Sequence, residues 1–488
     1  VHDPHPESEA LAYRNATALV TDLEQGLVTS EELVSTFLDR IAALDLDDDL
    51  AGVHAIAGLS ADVLEVARER DRERAAGHLH GPLHGLPVLI KDNIEALGLP
   101  GLAGATALRG RPTRDAALVT NLREAGAIIL GSTNLSQWAN LRSTKSASGY
   151  SATGGLVANP WARERSAGGS SSGSGAAAAA GFAPLLVGTE TDGSITCPAA
   201  LNGVVGLKPT VGNVSRDGVV PISHRQDSPG PMTRSVADAA LLYGALSGQS
   251  APQTLPTPRV VEATTWITGH IATDNLFKEF VEALRTSGLS IAARPFATPG
   301  LDEGNDEQYA LLCEFYDDLG SYLRGRAGEG VRSIDDVIAF ENANAEIEHR
   351  YSSHEHFLAA QATGGMSAPD YVERRDRVTR WAIETALEPG LGEDDIIISP
   401  AYAPAWKSDL VLGDPSVWFN PGISVSAVAG WPILTIPFAL LQGLPLGLTL
   451  IGRPNSEWSL LAVGEQIEAV ARERGWTGRP DWSRSMRG

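Results

Sequence analysis

Between Ser166 and Thr210 the chain carries two serine-bearing glycine turns, Gly168-Gly169-Ser170-Ser171-Ser172-Gly173 and Asp192-Gly193-Ser194. A lysine stands upstream of both, in Leu89-Ile90-Lys91-Asp92-Asn93. A serine hydroxyl attacks a carbonyl only when a base takes its proton. Lysine can be that base if burial or a nearby positive field lowers its pKa enough to leave the amine neutral. Two serines and one lysine can therefore make a nucleophile system with no histidine in it. Applied to an amide, such a system also needs donors for the developing oxyanion and an acid for the departing nitrogen.

Competing assignments are few. The chain has only five lysines, Lys91, Lys145, Lys208, Lys278 and Lys407. Lys145 is a rival base, but it lies among polar residues and reads as solvated. Lys208 precedes a proline and reads as structural. Cys197 follows Ser194 by three residues and is expected to be a small buried residue rather than the nucleophile. His84 and His224 invite a Ser–His–Asp reading, yet no Gly-x-Ser-x-Gly elbow with a following acid and histidine fits around Ser194. The glycine-serine turn is not a phosphate loop, because no Gly-Lys-Ser/Thr follows it. Ser171 and Asp227 are candidates for hydrogen-bonding support of the site, or else polar turn residues. Trp138, Asn140 and Arg142 are candidates for the wall of a substrate cleft, against ordinary loop packing.

The elements around these residues alternate. Residues 8–75 read as helical, with a capping box at Thr29-Ser30-Glu31-Glu32 before the apolar positions Leu33, Val34, Phe37, Leu38 and Ile41. Pro87 to Ile90 reads as a short buried strand with Lys91 at its end. Ala116–Ala125 reads as a helix and 127–130 as a strand. A helix from Ser174 follows the first serine turn, and a strand at 185–187 feeds the second. Further strands are expected at 394–400, 433–437 and 444–451, and helices at 233–247 and 460–474. This alternation predicts an α/β fold. The region 251–390 is less patterned and more acidic. With no internal repeat and no long linker, residues 1–488 are expected to form one domain, its core at about 80–250 and a pocket-shaping region at about 251–420.

The composition sets limits. The net charge of -22 over 488 residues disfavours contact with a nucleic-acid backbone. The absence of any apolar run of about 18 residues argues against a membrane-spanning helix. Two cysteines, Cys197 and Cys313, supply neither a disulfide framework nor metal-ligand spacing. No cofactor or metal is expected, and the chain is expected to be a monomer taking a small-molecule or peptide amide as substrate. The start at Val1 suggests that a segment was removed. The compartment stays open between secretion after signal cleavage and the cytoplasm.

Several motifs occur together and in order: Gly85-x-Pro87-x-x-x-Lys91-Asp92-Asn93, Gly131-Ser132-Thr133-Asn134, Gly168 to Gly173, Gly193-Ser194-Ile195, Gly206-Leu207-Lys208-Pro209-Thr210, Gly230-Pro231-Met232 and Gly430-Trp431-Pro432. This set resembles the amidase signature family over most of the chain. The stretches 132–143, 188–195, 212–223 and 226–231 are most similar to its bacterial peptide amidases. The resemblance implies an α/β/α sandwich with a mixed sheet covered by helices. It implies Ser194 as nucleophile, Ser170 after a cis peptide bond as proton relay, and Lys91 as neutral base. It implies an oxyanion hole from the N–H groups of Thr191, Asp192, Gly193 and Ser194. The activity implied is removal of a peptide's C-terminal amide. A general acylamidase and a partner-dependent amidotransferase component are the alternatives. The nucleophile turn departs from the usual Asp-x-Gly-Gly-Ser-Ile-Arg, reading Glu190-Thr191-Asp192-Gly193-Ser194-Ile195-Thr196.

Overall fold

The computed structural model describes residues 6–45, 52–110, 112–255, 257–326, 330–415 and 417–481. Its backbone is organised around one eleven-stranded mixed sheet. Numbered along the chain, the strands are β1 (Ile56–Leu59), β2 (Pro87–Lys91), β3 (Ile128–Thr133), β4 (Leu185–Glu190), β5 (Val205–Lys208) and β6 (Ser228–Thr233). They continue with β7 (Val260–Ala263), β8 (Ile291–Arg294), β9 (Ile396–Pro400), β10 (Ile433–Leu441) and β11 (Leu444–Ile451). The spatial order is β1-β3-β2-β4-β6-β5-β10-β11-β9-β7-β8. Strand β2 is parallel to β3 and β4, and β7 is parallel to β8 and β9. The remaining pairings are antiparallel. Helices cover the sheet, as the α/β reading requires.

Strands β2, β3 and β4 are buried along their whole length. That is why each opens with a continuous apolar run rather than an alternating one. The helix Ser172–Ala180 is buried at every position and built almost wholly from alanine, glycine and serine. Small side chains let it lie directly on its neighbours: a Cβ on Gly173 would sit 2.3 Å from the Asn134 carbonyl oxygen. The capping box appears as expected, with Thr29 Oγ1 accepting from the Glu32 N–H and the Glu32 carboxylate accepting from the Thr29 N–H.

The N-terminal region is not helical throughout. Residues 56–59 form the edge strand β1, whose pairing to β3 supplies hydrogen bonds that local periodicity does not reveal. Strands β5 and β6 were also hidden, since glycine and proline within them mask strand propensity. The weakly patterned acidic region holds long helices, Ile271–Thr286 and Leu301–Gly325, besides β7 and β8. Among the described residues no helix is long and apolar enough to cross a membrane.

Candidate active site

Strand register brings the lysine and the serines together. In the β2–β4 ladder Ile90 faces Val187, so Lys91 emerges one step on, beside Thr189. In the β4–β6 ladder Glu190 faces Ser228, so the chain leaving β4 runs alongside Asp227. The helix 172–180 begins immediately after the first serine turn. Backbone contact between the turns is direct, the Ser171 N–H donating to the Ser194 carbonyl at 3.1 Å.

Lys91 is fully buried. Its Nζ donates to Ser170 Oγ at 2.8 Å, to Thr189 Oγ1 at 2.9 Å and to the Thr189 carbonyl at 3.3 Å. Burial pushes its pKa down to about 7, against the pull of Asp227 and Glu190. A buried amine poised near neutrality and bonded to a hydroxyl can accept and return that hydroxyl's proton. Ser170 is likewise buried, and the Gly169–Ser170 peptide bond is cis. Ser171 Oγ donates to the Thr189 carbonyl at 3.0 Å and accepts from the Thr189 N–H at 3.1 Å, stitching the serine turn to the end of β4.

The second turn is braced from below. Glu190 accepts from the N–H groups of Ile195 and Thr196, both at 2.7 Å, and from Thr196 Oγ1 at 3.0 Å. Thr191 Oγ1 donates to Asp227 Oδ1 at 2.6 Å, while Asp227 Oδ2 accepts from the Ile222 and Ser223 N–H groups. Burial pushes the Asp227 carboxyl up to about 6, against those three hydrogen bonds and the field of Arg216. Among the described residues, the N–H groups of Thr191, Asp192, Gly193 and Ser194 have no hydrogen-bond acceptor. Four successive N–H groups without an acceptor are donors that an anion at this turn can take. Gly193 has φ +79°, and a Cβ there would meet the Tyr402 hydroxyl at 2.7 Å, so any larger residue would be strained at this turn. Burial pushes the Asp192 carboxyl up to about 6, and Ser424 hydrogen-bonds it.

A cleft of about 370 Å³ opens over this turn. Thr191, Asp192, Gly193 and Ser194 line it on one side, with Asn140, Ile222, Leu311, Tyr402, Trp406 and Phe419 among its walls. Asn140 thus stands where the sequence suggested, its Nδ2 donating to Ser148 Oγ. Trp138 and Arg142 do not line this cleft. Trp138 is buried against Phe357 and donates from Nε1 to Glu341 at 2.8 Å. Arg142 is buried, bonded to the Glu348 carbonyl and to Ser352, with Glu341 3.5 Å away. Spacing alone could not separate them, because Trp138, Ala139 and Asn140 all take positive φ and turn their side chains in unrelated directions.

The rival groups lie elsewhere or are engaged with other partners. Lys145 is exposed. Lys208 is buried, and its Nζ donates to the Pro209 carbonyl. Cys197 touches the cleft, but burial pushes its thiol up to about 12. His84 bonds the Arg70 carbonyl and His224 bonds Asp318. Glu341, His349 and His354 lie within metal-ligand spacing of one another, yet Arg142 already balances the Glu341 charge. Sequence reasoning missed Thr189, Asn93 and Tyr402. Asn93 Nδ2 donates to Thr189 Oγ1 at 3.0 Å, completing the lysine's cage. The Lys91-Asp92-Asn93 motif could have signalled Asn93; nothing local marks Tyr402, which arrives from beyond β9.

A buried lysine bonded to one serine, beside a turn bearing a second, is a constellation able to hydrolyse an amide. The sequence model of the family described as Amidase matches residues 32–461. The fold superposes on a peptide amidase solved with the competitive inhibitor chymostatin, with a TM-score of 0.89, 38% identity and coverage of 95% of this chain and 98% of that one. It superposes on the native peptide amidase of Stenotrophomonas maltophilia with a TM-score of 0.87, again at 38% identity, covering 96% and 98%. A glutamyl-tRNA(Gln) amidotransferase component from Thermobifida fusca is 32% identical, over 95% of this chain and 97% of that one. The chain belongs to the amidase signature family.

Proposed function

We propose that this enzyme hydrolyses the C-terminal amide of peptides to the free acid and ammonia, leaving peptide bonds intact. The carrying observation is the 2.8 Å contact from the buried Lys91 Nζ to Ser170 Oγ, beside the turn that bears Ser194. The likeness to peptide amidases at 38% identity supports the substrate class.

In this reading Ser194 Oγ attacks the amide carbonyl as its proton passes to Ser170, whose own proton moves to Lys91. The N–H groups of Thr191, Asp192, Gly193 and Ser194 hold the oxyanion, each such donor being worth about 10²–10³ in rate. The relay then runs backwards, Ser170 protonates the leaving nitrogen, and ammonia departs from the acyl-enzyme. Water attacks the ester, its proton enters the same relay, and the acid leaves with Ser194 restored. Ser171 and Asp227 hold the two turns, and Asn140 faces the substrate.

The amidotransferase relative favours a second reading, a component that needs partner chains. The third is an acylamidase acting on small amides. Ammonia release from an N-protected dipeptide amide by the isolated chain, with products identified by mass and benzamide run alongside, separates the three. An inactive, folded isolated chain would overturn the main reading.

A further inference from the structure

A second cavity, of about 820 Å³, lies behind the nucleophile turn. Only a thin wall separates it from the catalytic cleft. Thr191 and Ile222 line the cleft, Asp227 lines the second cavity, and Asp227 takes hydrogen bonds from both Thr191 Oγ1 and the Ile222 N–H. Its volume is in the range of small-ligand sites, about 300–1,000 Å³.

Most charges on its lining are committed. Arg114 makes a two-pronged pair with Asp217 and faces Glu95. Arg326 donates to the carbonyls of Gly101 and Gly110, and His224 pairs with Asp318. Arg216 differs. Its Nη1 is buried with no hydrogen-bond partner, and among the described residues its guanidinium makes no hydrogen bond or ion pair. The guanidinium fork matches a carboxylate with two parallel N–H···O bonds. One uncommitted positive charge among the carboxylates Glu95, Asp217, Asp318 and Asp227 favours a monoanion over a phosphate dianion.

We propose that this cavity binds a small monocarboxylate on Arg216.

The probe is 4-bromobenzoate, titrated calorimetrically into the full chain, with 4-bromobenzyl alcohol as the uncharged control. The expected result is saturable binding of the acid alone, weakened about tenfold to hundredfold in Arg216→Gln, as befits loss of a charged hydrogen-bonding partner. Crystals soaked in the acid should show an anomalous bromine peak in the cavity beside Arg216, a readout that holds even if the variant fails to fold. Absence of binding, equal affinity in Arg216→Gln, or a bromine peak confined to the cleft beside Ser194 would each overturn the proposal.

Discussion

The Glu190 carboxylate accepts the backbone N–H of Thr196 at 2.7 Å, and the same oxygen takes the Thr196 hydroxyl at 3.0 Å. These are two of the positions at which the Ser194 turn departs from the usual family pattern. The longer glutamate spans the turn and ties its far side to the end of β4. Hydrogen bonds to a charged group contribute roughly 1.5–3 kcal/mol each. Glu190→Gln keeps the shape but loses the charge and one acceptor. Amide turnover should fall about tenfold to hundredfold, chiefly in kcat, with a lower melting temperature. Parallel kinetics and thermal denaturation check this; unchanged kcat would mean that the brace does not hold the reactive geometry.

Ser194→Ala should abolish ammonia release while leaving the circular dichroism spectrum and melting temperature near those of the wild type. The side chain is small, and deleting one hydroxyl leaves little void. Persistent turnover would remove Ser194 as nucleophile.

The Lys91 pKa of about 7 sets the direction of the pH dependence. In the proposed relay the neutral amine is the base, so kcat/KM should rise with pH through about 7 and then level off. Lys91→Ala should lose most activity at neutral pH and recover part of it at high pH, where solvent hydroxide replaces the base. Stability follows the same proton. The folded lysine releases it near 7, whereas the unfolded lysine holds it to about 10.5. The unfolded state therefore binds more protons between these values, and stability should rise with pH across that window. Denaturant titrations of wild type and Lys91→Ala at several pH values isolate this increment, which the variant should lack.

Asn140 and Arg142 should respond oppositely, although they are two residues apart. Asn140→Ala, on the cleft wall, should raise KM for a dipeptide amide several-fold with little change in melting temperature. Arg142→Ala removes buried hydrogen bonds to the Glu348 carbonyl and Ser352 and the positive charge beside Glu341, and leaving the buried carbonyl unsatisfied typically costs about 1–3 kcal/mol. It should therefore lower the melting temperature before it alters substrate preference. Equal KM effects at matched stability would show that Arg142 takes part in substrate binding.

Much of the site was legible from residue type and order alone. Lys91 ends an apolar run, and Ser170 and Ser194 sit on glycine turns that place short polar side chains at strand and helix termini. These are local facts, because glycine's conformational freedom and an uninterrupted apolar strand are properties of a few consecutive residues. The capping box at Thr29 was legible for the same reason. The edge strand β1 was not, since a strand's hydrogen bonds are supplied by a partner distant in sequence, here β3.

By itself, the sequence determined which groups could do chemistry and that an α/β scaffold would carry them. Tertiary structure decided how those groups are poised. The depression of the Lys91 pKa comes from burial by surrounding elements, and the cage of Thr189 and Asn93 comes from the register of β2 against β4. Which of Trp138, Asn140 and Arg142 faces the cleft depends on a left-handed run of backbone and on carboxylates some two hundred residues away. Burial, register and long-range pairing are sums over the whole chain, and no window of consecutive residues contains them.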